Sequence, residues 1–155
     1  MLSATAQYAL RALGCLAIQG SEEVVLGRDL AERTAVPPSY LSKILLTLKR
    51  AGLVEATRGT GGGYRLSRPA EEISLWEIVD PVDNVGRLDE CIMGLSKCSE
   101  QNPCTMHPWW KRVREDYVSM LRQTSLAEVT GGGTLGCQSR RQELTDETPD
   151  TTFPK

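Results

Sequence analysis

The sequence predicts a mainly α-helical fold that carries one small two-stranded β hairpin. Three observations support this fold class. Apolar residues recur every three or four positions in several separate segments, which is the spacing of one helix face. Glycine and proline residues fall between those segments, where they end helices. One glycine-rich turn, residues 58–63, lies between two short stretches of strand-like composition.

The first three helices follow from this apolar spacing and from the residues that stop each helix. The first helix is predicted over residues 3–18, with Gly20 as its stop. A short second helix covers 27–34, and a third covers 39–51. The proline-containing turn 35–39 separates them, because proline does not fit inside a helix. We therefore expect two helices joined by a tight turn.

The spacing of apolar residues along the sequence changes after the third helix. Residues 53–57 and 64–66 can each form a short strand. The glycine-rich turn between them favours an antiparallel hairpin. The hairpin directly follows the pair of helices along the chain.

Two more helices are predicted in the second half. Ser74 is a candidate N-cap, and Glu77 three residues later completes a capping box. This helix is expected to stop near Pro81. A long last helix covers residues 109–124, with Pro108 well suited to its first turn.

Length and composition fit one soluble, cytoplasmic protein with an appended tail. The chain has 155 residues, of which 40% are hydrophobic and 25% charged, as is usual for a globular domain. No apolar run approaches the roughly 18 residues that a membrane span needs, and the start lacks a signal-like core. We therefore expect no membrane partner. Residues 131–155 open with glycines and hold few large hydrophobic side chains, so we expect them to be disordered.

Charge is divided unevenly between the two halves of the chain. Residues 1–70 hold nine Lys/Arg and five Asp/Glu, a net charge of +4, whereas residues 71–155 hold nine and fifteen, a net charge of −6. A basic first half suggests an anionic partner. The order helix, helix, turn, helix, hairpin is that of a winged helix-turn-helix, whose second motif helix enters the major groove. The sequence therefore predicts double-stranded DNA as the partner.

The candidate DNA-contacting residues are polar or cationic side chains on the exposed face of the third helix, and residues of the hairpin. Short hydroxyl groups and cations suit base edges and phosphates. An arginine on a slim glycine turn can also enter a narrow minor groove. The full set is Arg28, Ser39, Tyr40, Ser42, Lys43, Thr47, Arg50, Arg58, Gly61, Gly62, Tyr64 and Arg65.

Cysteine residues cluster in the segment 86–107, which has no clear period and is predicted to be a loop. Cys91, Cys98, Cys104 and the chain's single histidine, His107, follow the pattern C-x6-C-x5-C-x2-H. Three thiolates and one imidazole can complete the coordination of a tetrahedral metal or of a small iron–sulfur cluster. Thiolate ligands favour zinc or iron over magnesium or calcium. This spacing leaves a structural zinc site, a 2Fe–2S cluster, a 4Fe–4S cluster and free thiols without a metal open.

The other two cysteines are not expected to be ligands. Cys15 falls in the apolar pattern of the first helix and is interpreted as a small buried hydrophobic residue. Cys137 lies in the predicted tail, far along the chain from the cysteine cluster.

Taken together, these features resemble the Rrf2 superfamily of bacterial regulators, with its IscR-like and NsrR-like members. The resemblance covers about residues 1–130. It implies a homodimeric transcriptional regulator with a winged helix-turn-helix and a long dimerisation helix. The stretches that carry it are Tyr8-Ala9-Leu10-Arg11-Ala12-Leu13, Pro38-Ser39-Tyr40-Leu41, Leu53-Val54, Arg58-Gly59-Thr60-Gly61-Gly62-Gly63-Tyr64 and the cysteine loop.

The resemblance implies a division of the chain and a function. Residues 1–85 would form the winged helix-turn-helix domain, 86–107 the cluster-binding loop, 108–130 the dimerisation helix and 131–155 the tail. The expected function is a repressor at a palindromic operator that senses redox, nitric oxide or iron–sulfur status. We do not expect an enzyme, because no acid/base constellation is present in the sequence.

The resemblance also implies a set of cluster ligands. By position, the three clustered cysteines match the ligating cysteines, and His107 matches the histidine that completes a two-iron cluster in IscR-like members. Members without that histidine can take a carboxylate from the partner's first helix, where this chain offers Gln7 and Tyr8. A 2Fe–2S cluster is therefore expected. The first cysteine gap departs from the IscR-like pattern, since it has six residues where that pattern has five.

Two alternative functions remain at this point. The first is a winged-helix regulator with a structural zinc site and no sensing role. The second is a small iron–sulfur protein for electron transfer or cluster delivery, whose basic half docks an acidic partner. The second alternative predicts no sequence-specific DNA binding.

Overall fold

Helices make up most of the part of the chain that the computed structural model describes, which is residues 2–20, 22–85, 90–95 and 97–131. The described elements include one antiparallel hairpin and, after it along the chain, a short 3-10 turn at Ala70–Glu72. The fold is therefore mainly helical with a small β wing, as the sequence predicts. In chain order the elements are α1 (Ala4–Gln19), α2 (Gly27–Thr34), α3 (Pro38–Arg50), β1 (Val54–Thr57), β2 (Gly63–Leu66), α4 (Leu75–Asp83), α5 (His107–Gln123) and α6 (Leu126–Gly131).

Helix α1 lies at the centre of the hydrophobic core. The hydroxyl of Ser3 caps it by accepting a hydrogen bond from the amide of Ala6 at 3.1 Å, which satisfies a free N–H of the first turn. Leu13 and Leu16 are completely or almost completely buried, and α2, α3, α4 and α6 all pack against this helix. Cys15 is fully buried in the same core, so its predicted burial is confirmed.

Helices α2 and α3 form the helix-turn-helix motif. Ala35 ends α2 with a left-handed backbone (φ 52°), and Pro38 occupies the first turn of α3, where its missing N–H costs nothing. The buried face of α3 consists of Leu41, Ile44, Leu45 and Leu48. Gly52 follows α3 with a φ of 75°, a conformation that favours glycine.

The wing pairs β1 with β2, in the register Val54 to Leu66. A third segment joins it, because Val25 and Tyr64 exchange two backbone hydrogen bonds of 2.8 Å. A side chain at Gly63 would place its Cβ 2.4 Å from the carbonyl oxygen of Val25. Glycine is therefore required where the hairpin crosses this third segment. The sequence did not predict this third segment.

The capping box of α4 is confirmed, with reciprocal hydrogen bonds between Ser74 and Glu77. The expected end near Pro81 is wrong, because the helix continues to Asp83. Pro81 lies in the last turn of the helix, so only a few helical hydrogen bonds lie beyond it. The amide of Asn84 ends that turn by donating to the carbonyl of Asp80 at 2.8 Å. A proline so near the end of a helix is tolerated.

Helix α6 and its connection to α4 are features that the sequence did not predict. The amide of Leu75 donates to the carbonyl of Thr124 at 2.9 Å, and the amide of Leu126 donates to that of Ile73 at 2.7 Å. We call this pair of backbone bonds the clamp. Leu126 is fully buried in the core that contains α1. The clamp therefore fixes the C-terminal end of α5 to the winged helix-turn-helix.

The described helices give no candidate for a membrane span, since none is both long and apolar enough. Gly131, the first residue of the predicted tail, is the last residue of α6. The rest of that tail, including Cys137, lies outside the described residues, as do 86–89 in the predicted cysteine loop.

Candidate DNA interface and metal centre

The face of α3 opposite the core carries the predicted DNA-contacting side chains. Thr47 is half-buried at the edge of this face. The exposed members of the predicted set are Ser39, Tyr40, Ser42, Lys43 and Arg50. The predicted exposure of these five side chains is therefore confirmed, and their contact with DNA stays a prediction.

Two hydroxyl groups on this helix are already used as donors. The Oγ of Ser42 donates to the carbonyl of Pro38 at 2.9 Å, and the Oγ1 of Thr47 donates to that of Lys43 at 3.2 Å. A hydroxyl has one proton and two lone pairs. In this arrangement both hydroxyls can still accept a hydrogen bond, for example from the amino groups of adenine or cytosine in the major groove.

A second set of side chains beside α3 comes from α1 and was missed by sequence reasoning. The ring of Tyr8 meets the ring of Tyr40 edge-on, with centroids 6.3 Å apart. The guanidinium carbon of Arg11 lies 5.7 Å from the centroid of Tyr8. The spacing of three between Tyr8 and Arg11, on the polar side of an otherwise apolar helix, is the signal that could have found them.

The cations of the predicted set differ in whether they are already paired. Arg28 contacts Asp29 at 3.1 Å, and Arg65 contacts Glu55 across the hairpin at 2.7 Å. Within the described part of the chain, the remaining three cations of the set form no ion pair. Those three are Lys43, Arg50 and Arg58.

The predicted residues in and beside the glycine-rich turn differ in how exposed they are. Arg58 and Gly61 are exposed, and Gly61 has a φ of 80°. Gly62 is buried, and its amide donates to the carbonyl of Gly59 at 2.9 Å. Tyr64 is half-buried. Arg58 and Gly61 therefore reach solvent, whereas Gly62 and Tyr64 shape the wing.

The four predicted metal ligands lie in two pairs. The Sγ atoms of Cys91 and Cys104 are 3.6 Å apart, and the Sγ of Cys98 lies 3.1 Å from Nδ1 of His107. Cys91 and His107 are buried, while the other two are half-buried. No three or more His, Cys, Asp or Glu side chains of the described residues are grouped so as to hold a single metal ion.

The cysteine segment is attached to the first turns of α5. His107 is the first residue of the helix, and its amide donates to the carbonyl of Cys104 at 3.0 Å. The indole nitrogen of Trp110 donates to the carbonyl of Glu90 at 3.1 Å. Lys111 forms an ion pair with Glu100. These contacts hold both ends of the cysteine segment against the same helix end.

The donor set fits a thiolate-bound metal group. Two sulfur ligands about 2.3 Å from one tetrahedral metal lie about 3.7 Å apart, close to the Cys91–Cys104 separation. A hydrogen bond from the backbone of Met93 lowers the pKa of the Cys91 thiol, and the Cys104 thiol and the backbone of Leu95 add to the effect against the opposing influence of burial. The thiolate is the form that binds metals.

Comparison with known proteins gives a consistent result. The model of the Rrf2 family, described as "Iron-dependent Transcriptional regulator", matches residues 2–132. The chain is 38% identical over 133 residues to "Putative HTH-type transcriptional regulator Rv1287" of Mycobacterium tuberculosis, covering 84% of this chain and 81% of the relative. It is 33% identical over 128 residues to the HTH-type transcriptional regulator IscR of Xenorhabdus nematophila, covering 83% and 77%.

A solved structure shows the same fold. The structure of CymR (YrzC), the global cysteine regulator of B. subtilis, superimposes with a TM-score of 0.69 at 23% identity. The match covers 85% of this chain and 97% of CymR. The arrangement of helices and wing is therefore one that a solved regulator also adopts.

Proposed function

Because this chain belongs to the Rrf2 family of helix-turn-helix transcriptional regulators, we propose that it is a DNA-binding repressor controlled by an iron–sulfur cluster. The family is one of DNA-binding regulators and not of enzymes or electron carriers. The observation that carries the proposal is the presence of two ligand pairs beside the start of α5, Cys91 with Cys104 and Cys98 with His107.

The pairing of the ligands supports a 2Fe–2S cluster held by all four side chains. Each iron of such a cluster takes two protein ligands, which matches one pair of Cys91 with Cys104 and one of Cys98 with His107. A single structural zinc ion needs four donors around one point, and two separate pairs support that alternative less well. When bound, the cluster supplies a redox-active centre that oxidants or nitric oxide can change.

The DNA contacts would come from α3 and the wing. Lys43 and Arg50 form no ion pair with a described residue and suit guanine edges or phosphates. Arg58 at the glycine-rich turn suits the adjacent minor groove. The hydroxyls and Tyr40 complete the surface of α3. The paired cations Arg28 and Arg65 would have to leave Asp29 and Glu55 to bind DNA, so we assign them the smaller contributions.

An exposed apolar stripe on α5 supports a homodimer. Met106, Trp109, Val113 and Met120 follow one another by three, four and seven residues, which places them on one line along the helix. Their exposed fractions are 42%, 69%, 57% and 49%. A second copy of the helix would cover this line, and the resulting two-fold symmetry requires a palindromic operator.

The two ends of α5 connect the proposed cluster ligands with the DNA-binding unit. His107 is a proposed ligand and is also the first residue of the helix, and the clamp fixes the other end to the winged helix-turn-helix. A change in how Cys98 and His107 are held therefore acts on the start of α5. The distance between the two recognition helices of a dimer depends on the direction of that helix.

The experiment that tests this function is an anaerobic purification followed by metal analysis and DNA binding. We expect visible absorption bands, two irons and two sulfides per chain, and tight binding to an operator selected from random duplexes. Removing the cluster should change operator affinity by about 5- to 150-fold, since allosteric coupling is typically 1–3 kcal/mol. Cys98→Ala should abolish that difference, whereas Ser99→Ala should retain it.

Two outcomes would contradict the proposal. A colourless protein with one zinc per chain, prepared without oxygen, would replace the sensing cluster by a structural metal. Equal operator affinity of the cluster-bound and cluster-free forms would show that the metal centre does not control DNA binding.

A further inference from the structure

An apolar side chain lies at the centre of the face of α3 that points away from the core. Leu46 is 49% exposed, although the other leucines of this helix are buried. Residues Ser39, Lys43, Leu46 and Arg50 follow one another by four, three and four positions, so they form one line along the helix. Three members of this line are polar or cationic, and Leu46 is the apolar exception.

A single exposed leucine is common on protein surfaces, so exposure alone does not indicate a partner for Leu46. The residues around Leu46 indicate which kind of partner it contacts. Lys43, Lys49 and Arg50 lie three or four residues away on the same helix, and no described residue forms an ion pair with them. An apolar protein partner would have to desolvate these three charges without pairing them, which is costly. DNA instead supplies phosphates for the charges.

The major groove also supplies an apolar group for the leucine. Among the base edges exposed there, the C5-methyl of thymine is the apolar feature, and aliphatic side chains contact it. Leu46 lies on the outermost line of the helix, where a recognition helix meets the base edges. Its position fits a contact in the floor of the groove better than one at the phosphates.

We propose that Leu46 is a specificity-determining residue that packs against the C5-methyl of one thymine in each half of the operator. Lys43, three residues earlier on the same line, contacts a neighbouring base. This assignment rests on the proposed DNA-binding function and specifies, in addition, one base that each half of the operator must contain. The operator therefore contains two symmetry-related thymines that the protein distinguishes from uracil.

The test replaces thymine by deoxyuridine, which removes the methyl group and leaves every hydrogen bond of the base intact. The operator is first selected from random duplexes with the full-length protein, and each thymine is then changed in turn. At one thymine per half-site we expect the affinity to fall about three- to tenfold, the value of one lost methyl contact. Leu46→Ala should bind the two duplexes equally, and Leu46→Met should retain most of the preference.

Ile18→Ala is the matched control, because Ile18 is 44% exposed on α1, outside the helix-turn-helix. This variant should show the full preference for thymine. If uracil is tolerated at every position, or if Leu46→Ala keeps the preference, the inference is wrong while DNA binding stands. If no sequence is enriched from the random pool, the proposed function fails and the inference fails with it.

Discussion

Single cations of the DNA-binding half differ in the free energy they can contribute, because some already have a partner. Arg65 is held by Glu55 through its Nε and one terminal nitrogen, at 3.0 and 2.7 Å. Arg58, at the start of the glycine-rich turn, forms no ion pair with another described residue. Binding DNA therefore costs Arg65 an existing interaction and costs Arg58 none. Exposed pairs of this kind are weak, so the difference is modest but measurable.

We expect Arg58→Ala to weaken operator binding by about 1–3 kcal/mol if the side chain contacts a base. Arg65→Ala should have a smaller effect, because its guanidinium is paired with Glu55. Fluorescence anisotropy with the selected operator and with an unrelated duplex measures both variants. A loss that is equal on the two duplexes, with a reduced salt slope, would assign Arg58 to a phosphate.

The glycines of the wing have two roles, of which only one is predictable from the sequence. The run 58–63 predicts a tight turn, and the structure has one. The sequence could not show that a Cβ at Gly62 would come within 2.3 Å of the carbonyl oxygen of Thr57, or that Gly63 lies against Val25. These roles depend on a strand neighbour distant along the chain. Conformational preference is local, whereas close approach is tertiary.

Among the elements, α4 combines a capping box with an ion pair, and its stability should depend on pH. Burial by itself would raise the pKa of Glu77, but hydrogen bonds from Arg68 and Ser74 outweigh burial and lower the pKa below its usual value. A lowered pKa in the folded state means that the carboxylate stabilises the fold above its unfolded pKa. This stabilisation is lost as the pH falls through the lowered value.

We therefore expect Glu77→Gln to reduce the free energy of unfolding by about 0.5–1 kcal/mol near neutral pH. Gln can keep the capping-box bond, but it loses the ion pair with Arg68 and the favourable negative charge at a helix N-terminus. The difference from wild type should shrink below about pH 4, where carboxyl groups protonate. Urea unfolding across this pH range measures it. Glu71→Gln in the 3-10 turn removes the same charge outside the capping box and should change stability little. A difference that is constant with pH would show that the charge of Glu77 is not involved.

Elements with strong local signals were predictable, and those formed by tertiary contacts were not. The bounds of α2 and the capping box of α4 follow from residues within a few positions of each helix end. Helix α6 has the same Ser-x-x-Glu signal, with Ser125 and Glu128 bonded to each other, but it spans only six residues. A helix that short forms because Leu126 is buried against α1. The division of the four predicted metal ligands into two pairs likewise could not be predicted from their spacing along the sequence.

At the scale of the whole molecule, the exposed stripe on α5 predicts the oligomeric state. Val113 lies in the middle of the stripe and is 57% exposed in one chain. Val113→Arg should convert a dimer into a monomer, because two copies would bring buried like charges together. Sedimentation equilibrium measures the mass directly. Glu115→Arg places the same side chain on another face of α5 and should leave the dimer intact.

A dimer that survives Val113→Arg would show that the two copies meet elsewhere. A monomer in both the wild type and the variant would show that the stripe does not hold two copies together. In the expected case, the monomeric variant should also lose cooperative binding to the palindromic operator, because a single recognition helix contacts only one half-site.

The clamp has a mechanical consequence for the whole assembly. A helix of 17 residues is about 25 Å long, and α5 packs on the DNA-binding unit through its C-terminal half, at the clamp, Tyr117 and Leu121. It can therefore act as a lever arm. A rotation of about 5° about the clamp moves the far end by about 2 Å, given that length. If the far ends are instead anchored in a dimer, the same rotation swings each DNA-binding unit as a rigid body. The DNA-binding unit can thus be moved without any change in its own internal packing.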